Sequence, residues 1–187
     1  MQIQYVIDAA IEYFNDDVKR INHFFKVYEY AKMIAFKENV DEETKNILEV
    51  AAVLHDIGIK NAEKKYNSTA GNYQEIEGPP VADEILIKLG YKEDIRERVK
   101  YLIAHHHTYN EIDGIDYQIL VEADFLVNIY EDAIYNKCDI SQNENKDDLI
   151  ESRRKKLYSI KNKIFKTNTG IRYLDCLFIN NDNFICR

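Results

Sequence analysis

The chain has 187 residues, a formal net charge of −8, and hydrophobic and charged fractions of 45% and 31%, which are ordinary for one globular domain with a substantial core. The acidic balance argues against a protein that binds duplex nucleic acid, because neutralising phosphate groups requires a basic face. No apolar stretch reaches the roughly 20 residues that span a bilayer, so we do not expect the protein to enter a membrane. The first residues lack a secretion signal, and the three scattered cysteines suit a reducing compartment. We therefore expect a cytoplasmic protein.

Apolar residues recur at helical spacing through the first third of the chain. The pattern predicts a first helix over Ile3–Phe14 and a second helix that runs to about Lys37. Asn15 or Asp16 is the expected N-cap of the second helix, because either side chain can accept a hydrogen bond from the first turn. Asp41 is the expected cap of a third helix, whose apolar run ends in a histidine and an aspartate.

The rest of the chain also predicts helices, joined by polar connections. Residues 61–78 are polar and contain two glycines, so they predict a loop with short helical turns. Pro79 and Pro80 are expected to open the next helix, because proline is favoured at the first helical position. Further helices are predicted over residues 79–90, 93–107, 116–130, 149–166 and 170–178, with a polar connection over 137–148. No run with strand periodicity appears, so the expected fold is an all-α orthogonal helical bundle.

An adjacent imidazole and carboxylate close the apolar run of the third helix, where a core would favour leucine. Neighbouring residues on a helix diverge by about 100°, yet His55 and Asp56 can both reach one metal ion if the helix ends there. Gly58 supplies that end, since glycine commonly follows the last helical turn. The alternative is a histidine that interacts with the helix dipole beside a solvated aspartate.

Two further polar residues lie on apolar helix faces. Asp124 is flanked by Leu120 and Val127 at helical spacing, and a buried carboxylate is costly unless a cation pairs with it. The sequence offers no obvious buried lysine or arginine as a partner, which favours a bound metal ion over a salt bridge. His23 borders the apolar stripe of the second helix, where a histidine is more often structural than functional.

As a set, these residues resemble the HD-domain superfamily of metal-dependent phosphohydrolases. The resemblance lies in the order along successive helices, which is His23, then His55 and Asp56, then Asp124. It implies that these four side chains bind one divalent ion of Mn, Fe, Co, Ni, Zn or Mg, since imidazole and carboxylate ligands suit such ions. It also implies hydrolysis of a phosphoester or phosphoanhydride in a nucleotide or a similar small phosphorylated compound.

The resemblance covers about residues 18–130, which it identifies as the metal-binding core. The expected organisation is a single domain over residues 1–187, in which residues 145–180 form a helical extension. The basic segment 153–163 carries an apolar stripe, so we interpret it as a docked helix with a solvated charged face and not as a nucleic-acid surface. The expected partner is a small phosphorylated substrate, and the chain could also form a homo-oligomer.

Two other stretches look like the family. HDIGIK is similar to its HDIGK-type element, which makes Lys60 a candidate phosphate contact; the alternative is an exposed surface lysine. The helix before the three consecutive histidines matches the family's apolar stretch leading into a His pair. His106 is therefore expected to face inward, with His105 and His107 beside it. His105 and His106 are the candidates for a catalytic role.

The chain departs from the family at one position. Members with two metal ions place another histidine ahead of a Gly-Pro or Gly-Ala element, and here EIEGPP puts Glu77 nearest that position. A glutamate can bind a metal ion, act as a general base or orient water. One ion is therefore expected, and a second would need Glu77 and His106 together. Glu75 is a less favoured substitute and is more simply a surface acid.

Other functions stay open on the sequence alone. A non-catalytic HD module could bind a nucleotide or a metal ion as a sensor, although the complete ligand set argues against it. A diiron oxygenase is a third hypothesis, which the missing histidine at Glu77 disfavours. Tyr66, Tyr73 and Tyr109 are the tyrosines that could contact a base or a ribose.

Overall fold

The structure, a computed structural model, describes residues 3–135 and 146–181, with side chains for residues 3–131 and 151–181. In order, the described helices are α1 (Ile3–Phe14), α2 (Val18–Lys37), α3 (Glu42–Leu54), α4 (Ile59–Tyr66), α5 (Gly71–Lys88), α6 (Glu93–His105), α7 (Ile115–Tyr135), α8 (Lys146–Ile164) and α9 (Asn168–Leu174), which continues into a π-helical segment, Asp175–Ile179. No strand occurs in these ranges, so the all-α prediction is confirmed. Residues 137–145 of the predicted connection lie outside the described residues.

The helices form an orthogonal bundle whose centre is α2. This helix packs against both α3 and α7, while α5 packs against α6, which also contacts α3. Phe24, Leu54, Leu102 and Leu120, from four different helices, are fully buried at the junction. Burying a side chain of this size contributes about 1.5–3 kcal/mol each. Because α2, α7 and the end of α3 are mutual neighbours, polar residues on their facing sides are brought together.

The second helix starts later than the sequence suggests. Asn15 has a φ of 57°, a left-handed conformation that follows the end of α1. Asp17 is the N-cap of α2, because its carboxylate accepts a hydrogen bond of 3.1 Å from a backbone amide in the first turn. The predicted caps Asn15 and Asp16 are therefore wrong. Asp41 is confirmed as the cap of α3.

The segment predicted as a loop over residues 61–78 is mainly helical. α4 and the first half of α5 occupy it, so the Pro79-Pro80 pair lies inside α5 and does not open it. The cause is tertiary, since the buried face of α5 rests on the turn that follows α3. A Cβ added at Gly58 would overlap the backbone of Gly78, so the two backbones meet directly at this point.

α9 packs on α7 and α2, and α8 packs on the π-helical segment that follows α9. α8 buries Leu157 and Ile164 and leaves most of its basic side chains partly or fully exposed, as expected for a docked amphipathic helix. The last predicted helix, over residues 170–178, corresponds to α9 and the π-helical segment. Among the described helices, none has the length and apolar character needed to cross a membrane.

Candidate metal centre

Four side chains with metal-binding atoms meet between α2, α7 and the end of α3. We call them the metal quartet: His23, His55, Asp56 and Asp124. His23 Nε2 lies 3.3 Å from His55 Nε2 and 3.2 Å from Asp124 Oδ1. His55 Nε2 is 3.6 Å from the same Asp124 oxygen. Asp56 Oδ2 lies 3.6 Å from His23 Nε2 and 3.5 Å from His55 Nε2.

The spacing of these atoms fits a single divalent ion. Ligands about 2.1 Å from a shared ion stand about 3.0–3.4 Å apart in octahedral or tetrahedral geometry. The measured separations of 3.2–3.6 Å are at or slightly above that range. The donors are two imidazole nitrogens and two carboxylate oxygens, a set that suits Mn, Fe, Co, Ni, Zn or Mg.

A contact at Nδ1 orients each imidazole ring of the quartet. His55 is the C-cap of α3, and its Nδ1 lies 2.9 Å from the carbonyl oxygen of Ala52, which turns Nε2 towards the centre. His23 Nδ1 instead lies 3.1 Å from a carboxylate oxygen of Glu131. With Nδ1 carrying a proton, each ring directs Nε2 towards the shared site, where its lone pair can bind an ion once any proton on Nε2 has been displaced.

Opposite charges hold the quartet together. Burial lowers the pKa of His23, but hydrogen bonds to Asp124 and Glu131 outweigh it and raise that pKa to about 10. Burial would raise the pKa of both aspartates, yet His55 and His106 lower the pKa of Asp56, and His23 lowers that of Asp124. The carboxylates therefore stay ionised at neutral pH, as metal ligands must be.

A second cluster shares Asp56. Its Oδ1 lies 3.5 Å from His106 Nε2, and Asp56, His106 and His107 offer ligand atoms that all lie within 4.8 Å of one another. The Nε2 atoms of both histidines are buried, and neither has a hydrogen-bond partner in the described part of the chain. Burial and the neighbouring His106 lower the pKa of His107 to about 4, so this ring is neutral at neutral pH. Such a ring can donate a lone pair.

A pocket of about 270 Å³ opens onto both clusters. Its lining residues are Lys19, Arg20, His23, Asp56, Ile59, Thr69, Gln74, His107, Asp124, Asn128 and Glu131. Gln74 is 6% exposed, its Nε2 donates to the carbonyl of Thr69, and its Oε1 has no partner among the described residues. The wall is polar, with Ile59 as its single aliphatic side chain.

Two residues predicted to act in catalysis, Lys60 and His105, point away from the pocket. The ammonium group of Lys60 donates a hydrogen bond of 2.8 Å to the carbonyl oxygen of Tyr13 and lies over the aromatic ring of the same residue. Lys60 therefore faces α1 and not the pocket. His105 Nδ1 is 2.7 Å from the carbonyl of Tyr101, one turn earlier in α6. Neither Lys60 nor His105 lines the pocket, and of the predicted catalytic histidines His106 alone reaches the quartet.

Glu77 also lies outside the pocket. Its carboxylate accepts hydrogen bonds from Lys65 at 2.5 Å and from Tyr66 at 3.0 Å, so it ties α5 to α4. Lys65 is the main cause of the lowered pKa of Glu77. The α5 residue that does line the pocket is Gln74, which the sequence analysis missed because its segment was taken as a loop. A helical period over residues 71–88 would have placed Gln74 and Gly78 on one buried face.

Glu75 is more than a surface acid. One of its carboxylate oxygens accepts a hydrogen bond of 3.0 Å from the backbone nitrogen of His107 and one of 3.2 Å from the hydroxyl of Thr108. It therefore holds the segment that carries the second cluster. The hydroxyl of Tyr109 contacts the imidazole ring of His107, 3.5 Å from its Nδ1. Tyr66 and Tyr73 stack on each other at 4.2 Å and do not line the pocket.

Comparisons with known proteins agree with this arrangement. The fold is similar to the crystal structure of a predicted HD superfamily hydrolase from an uncultured Thermotogales bacterium, with a TM-score of 0.60 and 22% sequence identity over 93% of this chain and 83% of that chain. A search of curated proteins gave no match. Residues 20–154 match the HD domain family, and this range contains the whole quartet. The chain therefore belongs to the HD domain family.

Proposed function

We propose that this protein is a metal-dependent phosphohydrolase that acts on a phosphoester or phosphoanhydride of a nucleotide or a similar small phosphorylated compound. The observation that carries the proposal is the metal quartet at the base of an open polar pocket. A divalent ion held there would polarise a phosphoryl oxygen and lower the pKa of nearby water. The family membership supports this chemistry, as does the similar fold of the predicted HD superfamily hydrolase from the Thermotogales bacterium.

The wall of the pocket carries two basic side chains. Lys19 and Arg20 come from the first turn of α2 and line the pocket. The guanidinium of Arg20 is paired with Asp17 at 2.5 Å and Glu63 at 2.6 Å, which orients it and offsets its charge, so a bound ion would supply most of the positive charge that a phosphate needs. Asn128 adds a neutral amide that could bind a hydroxyl of a ribose or another polyol.

Two buried atoms could position water next to the phosphate. Gln74 Oε1 and His107 Nε2 are without a partner among the described residues, and both side chains line the pocket. A neutral imidazole and an amide oxygen can each accept a hydrogen bond from a water molecule. We therefore assign to Gln74 and His107 the orienting role that the sequence suggested for Glu77.

The same geometry could accommodate a second ion. Asp56 directs one oxygen towards the quartet and the other towards His106, and His107 completes that cluster. Paired ions in hydrolytic sites stand about 3.5–4 Å apart and share bridging ligands. A second site would thus use Asp56, His106 and His107, without the Glu77 that the sequence suggested, and His107 would then bind the ion instead of orienting water.

The proposal is tested by metal analysis and a substrate panel. The purified protein, loaded with Mn²⁺, Fe²⁺, Co²⁺, Ni²⁺, Zn²⁺ or Mg²⁺, is assayed for phosphate release from nucleoside mono-, di- and triphosphates, cyclic nucleotides and sugar phosphates. We expect turnover that chelation abolishes and metal restores. Bound metal with no turnover across the whole panel would contradict the proposal and favour a non-catalytic binding module.

Metal binding is expected to tighten as the pH rises towards about 10. His23 has a pKa of about 10 in the metal-free protein and is therefore protonated at neutral pH. An incoming ion must displace that proton, so affinity should increase about tenfold per pH unit for each proton released. Calorimetric titration in buffers of different protonation enthalpy measures the release. An affinity that stays constant between about pH 6 and 8 would contradict the expectation.

A further inference from the structure

We infer that Glu131 is a positioning residue that orients the metal ligand His23 and strengthens its bond to the ion. The inference rests on the proposed metal centre and adds a residue outside the quartet. Glu131 lies near the C-terminal end of α7 and is 9% exposed.

The contact fixes the protonation pattern of the ring. His23 Nδ1 lies 3.1 Å from Glu131 Oε2, while Nε2 faces the quartet. An ionised carboxylate has acceptors only, so Nδ1 must carry the proton and donate it. In the metal-free protein Nε2 faces the Asp124 carboxylate and carries a proton as well, and once an ion displaces that proton the lone pair of Nε2 is directed to the metal site. A carboxylate at the outer nitrogen also makes the imidazole a stronger ligand.

His23 differs in this respect from His55 and His106. His55 and His106 each bring Nδ1 to a main-chain carbonyl, of Ala52 at 2.9 Å and of Ile103 at 2.7 Å. Those partners are fixed by the helix backbone. Of the two histidines in the metal quartet, His23 is thus the ring whose outer partner is a side chain, which mutation can remove.

Helix geometry explains why one carboxylate can do this. Asp124 and Glu131 are seven residues apart on α7, which is about two turns, so both face α2. One contacts Nε2 of His23 and the other contacts Nδ1. The second oxygen of Glu131 accepts a hydrogen bond of 2.9 Å from Lys26, which lies one turn after His23 on α2.

A simpler reading makes Glu131 one half of an ion pair between α2 and α7. Removing either Lys26 or Glu131 would break such a pair, so metal affinity would fall by the same amount in both variants. A positioning role predicts a larger fall in metal affinity when Glu131 is removed, because removing Lys26 leaves the hydrogen bond between His23 Nδ1 and Glu131 Oε2 in place. The pair of variants therefore separates the two roles.

The experiment measures Zn²⁺ and Mn²⁺ affinity of the whole chain by chelator competition. Glu131→Ala is expected to weaken binding about 10- to 100-fold, as for other partners of metal-bound histidines. Glu131→Gln keeps an acceptor for Nδ1 and should recover most of that loss. Lys26→Met should stay within about threefold of the wild type. Asp83→Asn, which breaks the ion pair of Asp83 with Arg96 away from the pocket, is the control for loss of an interhelical pair.

Two results would overturn the inference: wild-type affinity in Glu131→Ala, or an equal loss in Lys26→Met. These readouts do not depend on turnover. A wild-type protein that binds metal and hydrolyses no phosphate ester would overturn the proposed function and leave the inference intact. A wild-type protein that binds neither metal would overturn both.

Discussion

Replacing Asp124 with alanine is expected to abolish metal retention and, with it, phosphate release. Asp124 Oδ1 lies within 3.6 Å of both imidazole nitrogens of the quartet, and the residue is 4% exposed. Its charge offsets the protonated His23 in the metal-free protein and would bind the ion in the loaded one. A four-ligand zinc site contributes about 10–16 kcal/mol, or about 2.5–4 kcal/mol per ligand, so loss of this ligand should lower metal affinity by about two to three orders of magnitude.

The matched control is another buried aspartate on the same helix. Asp116 is 5% exposed and accepts hydrogen bonds from Arg98 at 2.7 and 2.8 Å, away from the pocket. Asp116→Asn should lose stability and keep its metal, whereas Asp124→Ala should keep its helical circular dichroism and lose its metal. Full metal occupancy in Asp124→Ala, measured by mass spectrometry of the dialysed protein, would remove Asp124 from the ligand set.

The sequence predicted Asp124 and the His55-Asp56 pair as candidate ligands because these residues are chemically out of place, and the resemblance to the HD-domain superfamily added His23 to the set. A carboxylate on an apolar face and a His-Asp pair at a helix end have few stable surroundings without a cation. Glu131 carries no such signal, since a glutamate near a helix end is ordinary on a solvated face. Its role follows from the packing of α2 on α7, which brings it to Nδ1 of His23.

The errors around α5 have one physical source. Prolines favour the first turn of a helix, so Pro79-Pro80 suggested a start, and the polar residues before it suggested a loop. In the structure the helix runs through the polar residues and through the two prolines, because the face carrying Gln74 and Gly78 packs on the turn at Gly58. Neighbouring residues on a helix differ by about 100°, which turns Glu77 away from Gly78 and towards α4.

The sequence predicted that His106 faces inward, but it did not separate the roles of His105 and His107, because their directions depend on where α6 ends. The helix stops at His105, and His106 and His107 turn back towards Asp56. The turn is held by the hydroxyl of Tyr117, which lies within hydrogen-bond distance of the carbonyls of His105 and Thr108 and donates its one proton between them. Such a contact between distant segments has no local sequence signature.

Replacing Glu122 with alanine is expected to lower the free energy of unfolding by about 3 kcal/mol or more. Glu122 is fully buried on α7, where its carboxylate accepts from the backbone nitrogens of Lys166 and Thr167 at 2.6 and 2.9 Å. It also accepts from the Thr167 hydroxyl at 2.5 Å and from Gln118 at 2.7 Å. Burial raises the pKa of Glu122, and these four donors act against the rise and favour the ionised form.

The loss should be large because the alanine variant leaves buried donors without an acceptor, and each such donor costs about 1–3 kcal/mol. The contact also sets the start of α9, since a Cβ added at Gly170 would overlap Glu122 Oε2. Urea denaturation followed by circular dichroism measures the change, with the exposed Glu97→Ala as the control. Because Glu122 lies outside the pocket, its variant should still bind metal when folded. Equal stability of Glu122→Ala and Glu97→Ala would mean that the C-terminal helices are held on α7 by their apolar contacts alone.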